Sequence, residues 1–117
     1  MKIKLTIGLD EYTASLNDSK AASDFVSLLP MTLTLEDYAG TEKISYLPKK
    51  LSTTGSPEGT EPSIGDITYY APWGNLAIFY RGFSYAKGLI KLGSIDSGTE
   101  KLASNQGKFT VKIERIV

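Results

Sequence analysis

Polar and apolar residues alternate at period two along most of this chain, and no other feature restricts its fold as strongly. A strand sends successive side chains to opposite faces, so alternation marks a surface covered on one side. Ile3, Leu5 and Ile7 face one way and Lys2, Lys4 and Thr6 the other. Gly8-Leu9-Asp10-Glu11 reads as a turn, after which Tyr12, Ala14 and Leu16 alternate with Thr13 and Ser15 to complete a hairpin. Strands resume at Met31, Leu33 and Leu35, at 43–47 with Ile44 and Tyr46 on one face, and at 66–71, 76–81 and 89–95. Phe109, Val111 and Ile113 carry the last one. Leu76-Ala77-Ile78-Phe79-Tyr80 is apolar at every position, which predicts a central strand covered on both faces.

Two helices interrupt the strands. Asn17-Asp18-Ser19 supplies side-chain oxygens that can cap a first turn. Behind them Ala22, Phe25, Val26 and Leu29 form one apolar helix face, which Pro30 ends. Ser97-Gly98-Thr99-Glu100 fits the capping-box pattern and predicts a short helix through Leu102 and Ala103. Eight short strands and two helices in 117 residues predict a mainly β fold. We expect one domain, residues 1–117, closed as an eight-stranded barrel filled by its own side chains. Closure also removes the exposed strand edges that invite aggregation. Residues 48–63 hold three of the five prolines together with Gly55 and Gly59, and read as one long loop. Long structureless loops are uncommon in compact domains; this one is either functional or a mobile crossover. Residues 81–88 form a second loop with Gly82 and Gly88 near its ends.

Composition removes several chemistries. The chain has no histidine, which takes away the commonest general base, the Ser–His and Cys–His nucleophile pairs and most zinc sites. It has no cysteine, hence no disulfide and no thiolate. The acidic pairs Asp10-Glu11 and Glu36-Asp37 are strand neighbours whose side chains diverge, so neither is a ready dyad. No spacing suggests metal ligands, and neither a metal nor a cofactor is expected. Thirteen basic and thirteen acidic residues cancel, and no basic run exceeds Lys49-Lys50, which argues against a nucleic-acid partner. No apolar run approaches the ~20 residues of a membrane span. The N-terminus alternates instead of forming the apolar core of a signal peptide, and a cytoplasmic location is the expectation.

Seven of the twelve aromatic residues fall between positions 69 and 85: Tyr69, Tyr70, Trp73, Phe79, Tyr80, Phe83 and Tyr85. Pro72-Trp73-Gly74-Asn75 makes a tight connection between two strands, and a tryptophan on such a turn is not expected to be wholly buried. Two readings follow. In one, Tyr69, Ile78 and Tyr80 are barrel core and Trp73 covers a barrel end. In the other, Tyr46, Tyr70, Trp73, Phe79, Phe83 and Tyr85 wall a shallow apolar groove beside the two loops, with Lys49, Asn75 and Arg81 as polar anchors. No catalytic residue stands out.

Several blocks support a resemblance. Tyr46-Leu47-Pro48, Gly65-Asp66, the run from Tyr69 to Tyr80, and Leu92-Gly93-Ser94-Ile95 with Gly98 resemble the small bacterial and archaeal cyclophilin-like family, reduced barrels of unknown function. The similarity to true cyclophilins is mostly topological. Those enzymes isomerise X–Pro bonds against a barrier of ~18–20 kcal/mol without a nucleophile. An Arg and an apolar pocket favour the twisted amide, while a His, a Gln and aromatics hold the proline. The resemblance implies a catalytic Arg on the stretch from Ile44 to Lys49, where none exists. Lys49 lacks the planar fork and substitutes poorly. The binding His would fall near Gly88 to Ile90 and is also missing, whereas Leu76 to Tyr80 keeps an aromatic wall. The expectation is therefore a cyclophilin-like binding or accessory module, for a peptide, a small apolar ligand or a partner protein. Alternatives are a weak prolyl isomerase, or a subunit of a redox assembly, because some relatives accompany flavodoxin-like proteins.

Overall fold

The computed structural model describes residues 1–116. Twelve elements follow one another: β1 Lys2–Ile7, β2 Asp10–Leu16, α1 Lys20–Ser27, β3 Met31–Tyr38, β4 Glu42–Tyr46, β5 Gly59–Thr60, β6 Asp66–Tyr70, β7 Asn75–Phe79, β8 Ala86–Lys87, β9 Leu89–Ile95, α2 Thr99–Ala103 and β10 Phe109–Arg115. Eight of the strands close into a barrel in the order β1-β10-β3-β4-β7-β6-β9-β2. Every neighbouring pair is antiparallel, and the first strand meets both its hairpin partner and the last strand of the chain.

The barrel is filled by the alternate residues of its strands, as the period-two pattern requires. Ile3, Leu5, Leu35, Ile67, Tyr69, Leu76, Ile78, Leu92, Val111 and Ile113 are all buried in one apolar core. Helix α1 adds Ala21, Ala22, Phe25 and Val26 to it. Ser19 caps that helix by accepting the Ala22 backbone N–H at 3.1 Å. Gly93 lies where β2 and β9 come closest, because a Cβ there would stand 2.1 Å from the Ser15 carbonyl oxygen.

Three local expectations are corrected. The second hairpin strand begins at Asp10, so the turn before it is shorter than Gly8–Glu11. The capping box does not form: the cap of α2 is Gly98 at φ 87°, and no side chain bonds the helix start. Tyr80 lies beyond the end of β7 and is only partly buried, so it is not barrel core.

The two loops are neither structureless nor independent. Leu51 drops into the barrel core and its backbone N–H reaches the Tyr69 hydroxyl at 3.2 Å, while Ser52 N–H bonds the Asp24 carboxylate at 2.7 Å. Further on, β5 pairs with β8 in a separate two-stranded ribbon. Gly88 N–H to Glu58 O at 2.7 Å and Phe83 N–H to Pro62 O at 3.3 Å extend the join. Strands of two residues are too short to show a period, which is why the sequence pattern yields eight strands and the fold has ten.

Candidate functional site: a groove on the outer wall

Strands β4, β7, β6 and β9 are adjacent in the barrel, and their outward side chains form a second surface. Leu76 and Ile78 point inward, so Asn75, Ala77 and Phe79 point outward; Tyr69 points inward, so Tyr70 points outward. Ile44, Ala77, Phe79 and Leu89 make a buried apolar cluster of their own, with Tyr70 and Ala86 packed against it. A strand that contributes to both clusters is apolar at every position, which explains residues 76–79.

Over this cluster lies a groove of ≈ 260 Å³. Tyr70 and Leu89 line it from paired positions of β6 and β9, and Asn75 from the position of β7 opposite Tyr70. Phe79 and Glu42 line it from another paired position, on β7 and β4. Trp73 stands on the turn between β6 and β7, where Gly74 takes φ 67° and its N–H bonds the Tyr70 carbonyl at 2.9 Å. Phe83 and Ala86 come from the ribbon side. Tyr38, Ala39 and Thr41 come from the β3–β4 turn. That turn closes with Thr41 N–H on the Tyr38 carbonyl at 3.1 Å, and both central residues have positive φ: Ala39 at 56° and Gly40 at 68°. A turn with two such residues suits the twist of its strands, but the left-handed region is unfavourable for an alanine.

Trp73 is 46% exposed and sits between two tyrosines. Its ring lies 5.4 Å from that of Tyr38 at 84° and 5.4 Å from that of Tyr70 at 81°, both edge to face. Asn75 is 1% exposed, and its Oδ1 has no hydrogen-bond partner. Buried polar atoms are nearly always paired; Asn75 Oδ1, the Tyr12 hydroxyl and Ser56 Oγ are the exceptions among the described side chains, and only Asn75 belongs to a residue of the groove wall. Glu42 is partly buried, and burial raises its carboxyl above the usual range; the Thr41 hydroxyl, donating to Oε2 at 2.7 Å, opposes this only in part. No ion pair neutralises Glu42 among the described residues.

On the other face of the same hairpin the charges are satisfied. Lys43 is 3% exposed; its Nζ bonds the Asn105 carbonyl at 2.7 Å and lies 3.5 Å from Asp37 Oδ1. It also stands 5.2 Å from the Tyr80 ring centre and 5.6 Å from that of Phe109. Tyr80 donates its hydroxyl to Asp37, which holds that carboxyl below its ordinary value. Burial first, and then this hydrogen bond, push the Tyr80 phenol up to about 12.

Of the nine residues expected at the site, Tyr70, Trp73, Asn75, Phe79 and Phe83 line the groove. Tyr46, Lys49, Arg81 and Tyr85 do not: all four are exposed and lie outside its walls. Tyr46 shares the outward face and pairs with Asn75 at the end of β4, but its side chain is exposed and not part of the wall, and Lys49 follows on beyond it. Sequence reasoning missed Tyr38, Ala39, Thr41, Glu42, Ala86 and Leu89. The β4–β7 register delivers the first four, and no local pattern announces it. Among the described residues no group of three His, Cys, Asp or Glu side chains could hold a metal, and no helix is long and apolar enough to cross a membrane.

Comparison with known proteins agrees with this architecture. The solution structure of a hypothetical protein from Archaeoglobus fulgidus superposes with a TM-score of 0.70 over 99% of this chain and 95% of its own, at 15% identity. That likeness is one of fold. Among curated proteins none matches the sequence. The profile of the Cyclophilin-like family matches residues 5–114, and the chain belongs to that family.

Proposed function

We propose that this protein is a cyclophilin-like binding module whose ligand occupies the groove on the outer barrel wall, and that it is not a competent prolyl isomerase. The observation that carries the reading is the hollow itself, walled by Tyr70, Trp73, Phe79 and Phe83, with the unpartnered amide of Asn75 in the same wall. Were the Asn75 amide to turn toward the hollow, a ligand N–H or O–H would satisfy an atom that otherwise costs stability. The hollow has the form of a small-molecule site, largely apolar with a few fixed polar groups. Against the isomerase reading, no Lys or Arg lines the groove, so nothing there can favour a twisted amide as a guanidinium does.

The test is a fragment screen read by amide NMR. Hits are expected to shift the Trp73 indole and Asn75 side-chain signals, and to be lost in Trp73→Ala while the fold is retained. Hits that cluster elsewhere, such as the hollow between Lys20, Pro57 and Lys91, would refute the assignment. In a protease-coupled assay on X–Pro peptides no acceleration is expected. Activity comparable to an authentic cyclophilin, abolished by Lys49→Ala or Arg81→Ala, would reverse the choice.

A further inference from the structure

We infer that the groove takes a small organic cation, an ammonium group on a compact apolar body. The inference rests on the reading that the groove is a ligand site and specifies the ligand's class. The single formal charge lining the groove is negative, that of Glu42, and it has no counter-ion among the described residues. The neighbouring Lys43 cannot supply one, because it lies on the opposite face of the strand, bonded to Asn105. Asn75, in the same wall, has an amide oxygen without a partner, buried just behind the surface. An anion entering the groove would meet Glu42 with no basic group to offset it.

The rings agree with the charge. Trp73 is nearly perpendicular to both Tyr38 and Tyr70, and all three line the groove, so ring planes of differing orientation border it. Ring faces attract cations held within about 6 Å, and mutually perpendicular rings suit quaternary ammonium groups, which offer charge in every direction and no hydrogen-bond donor to satisfy. Glu42 lines the same groove and supplies a carboxylate to go with the rings. Burial already disfavours the Glu42 charge, and a bound cation would relieve that penalty.

Trp73 is the only tryptophan in the chain, so its fluorescence reports directly on the groove. The probes are three isosteres: choline, neutral 3,3-dimethylbutan-1-ol and anionic 3,3-dimethylbutanoate. Choline is expected to bind about tenfold more tightly than the alcohol, and the carboxylate most weakly. Glu42→Gln should bring the affinities of choline and the alcohol together. A short peptide carrying trimethyllysine separates two sources of the same chemistry: tighter binding than choline assigns the cation to a protein side chain, and equal binding to a free molecule. Equal affinity for choline and the alcohol, or a preference for the carboxylate, overturns the inference and leaves the groove a ligand site. If none of the probes perturbs Trp73 and fragments also fail to bind there, both readings fall together.

Discussion

Tyr69 and Tyr70 are consecutive residues with opposite fates. Tyr69 points into the barrel, is 1% exposed, and its hydroxyl accepts the Leu51 N–H, so ring and polar tip are both accounted for. Tyr70 points out, is only partly buried, and packs edge to face with Trp73 on the groove wall. The same division runs along β7, where Leu76 and Ile78 complete the core while Asn75 and Phe79 serve the groove. It recurs across the β3–β4 hairpin, where Asp37 is held by Tyr80 and Lys43 and Glu42 is left without a cation. In each case one face of a strand satisfies its groups internally and the other leaves something unfinished. On the proposed reading, stability and recognition share a backbone and are separable by substitution.

The sharpest way to break this comparison is to truncate one ring from each face. Tyr69→Ala should cost about 3–5 kcal/mol in denaturant unfolding, as other large-to-small aromatic core changes do. Trp73→Ala should cost less than about 1 kcal/mol, since a half-exposed ring loses little burial. Equal losses would mean that the groove wall is core. Asn75→Leu goes the other way: replacing an unpartnered buried amide by an apolar side chain should raise stability by about 1 kcal/mol and abolish ligand binding. A fall in stability would show that the amide has an internal role. Ala39→Asn should add about 0.5–1 kcal/mol, because asparagine tolerates the left-handed conformation that alanine adopts here. The smallest effect concerns pH. Asp37 is depressed, so its contribution is present above the ordinary carboxylate range and lost as pH falls through its lowered value. Glu42 is raised, so its penalty is absent at low pH and appears as pH climbs from its ordinary value through the raised one. Urea midpoints between acid and neutral pH should therefore show Tyr80→Phe losing part of the acid-side slope, and Glu42→Gln gaining stability at neutral pH.

The barrel was readable because its walls repeat a two-residue rule, and a chain that obeys the rule through eight segments has few other ways to hide its apolar face. The aromatic half of the groove was readable too, since Tyr70, Trp73, Phe79 and Phe83 are close in sequence as well as in space. Glu42 and Tyr38 were not. They reach the groove through pairings such as Glu42 with Phe79, and register between distant strands leaves no local trace. Lys43 misleads in the other direction, because a lysine at an inward position reads as solvent-facing until Asn105, Asp37 and two rings are seen around it. The capping box failed on a single residue. Gly98 takes a conformation unavailable to a normal helix cap, and the Tyr12 ring would stand 3.1 Å from any Cβ added there.

The ribbon of β5 and β8 gives residue 59 an influence out of proportion to its place. Gly59 lies outside the groove, yet a methyl group on it would stand 2.3 Å from the Ala86 carbonyl oxygen, and Ala86 is part of the groove wall. Any larger side chain there would prise the two strands apart and carry that wall with them. The width of the hollow in this chain thus depends on a residue outside it, which inspection of the hollow alone would not single out.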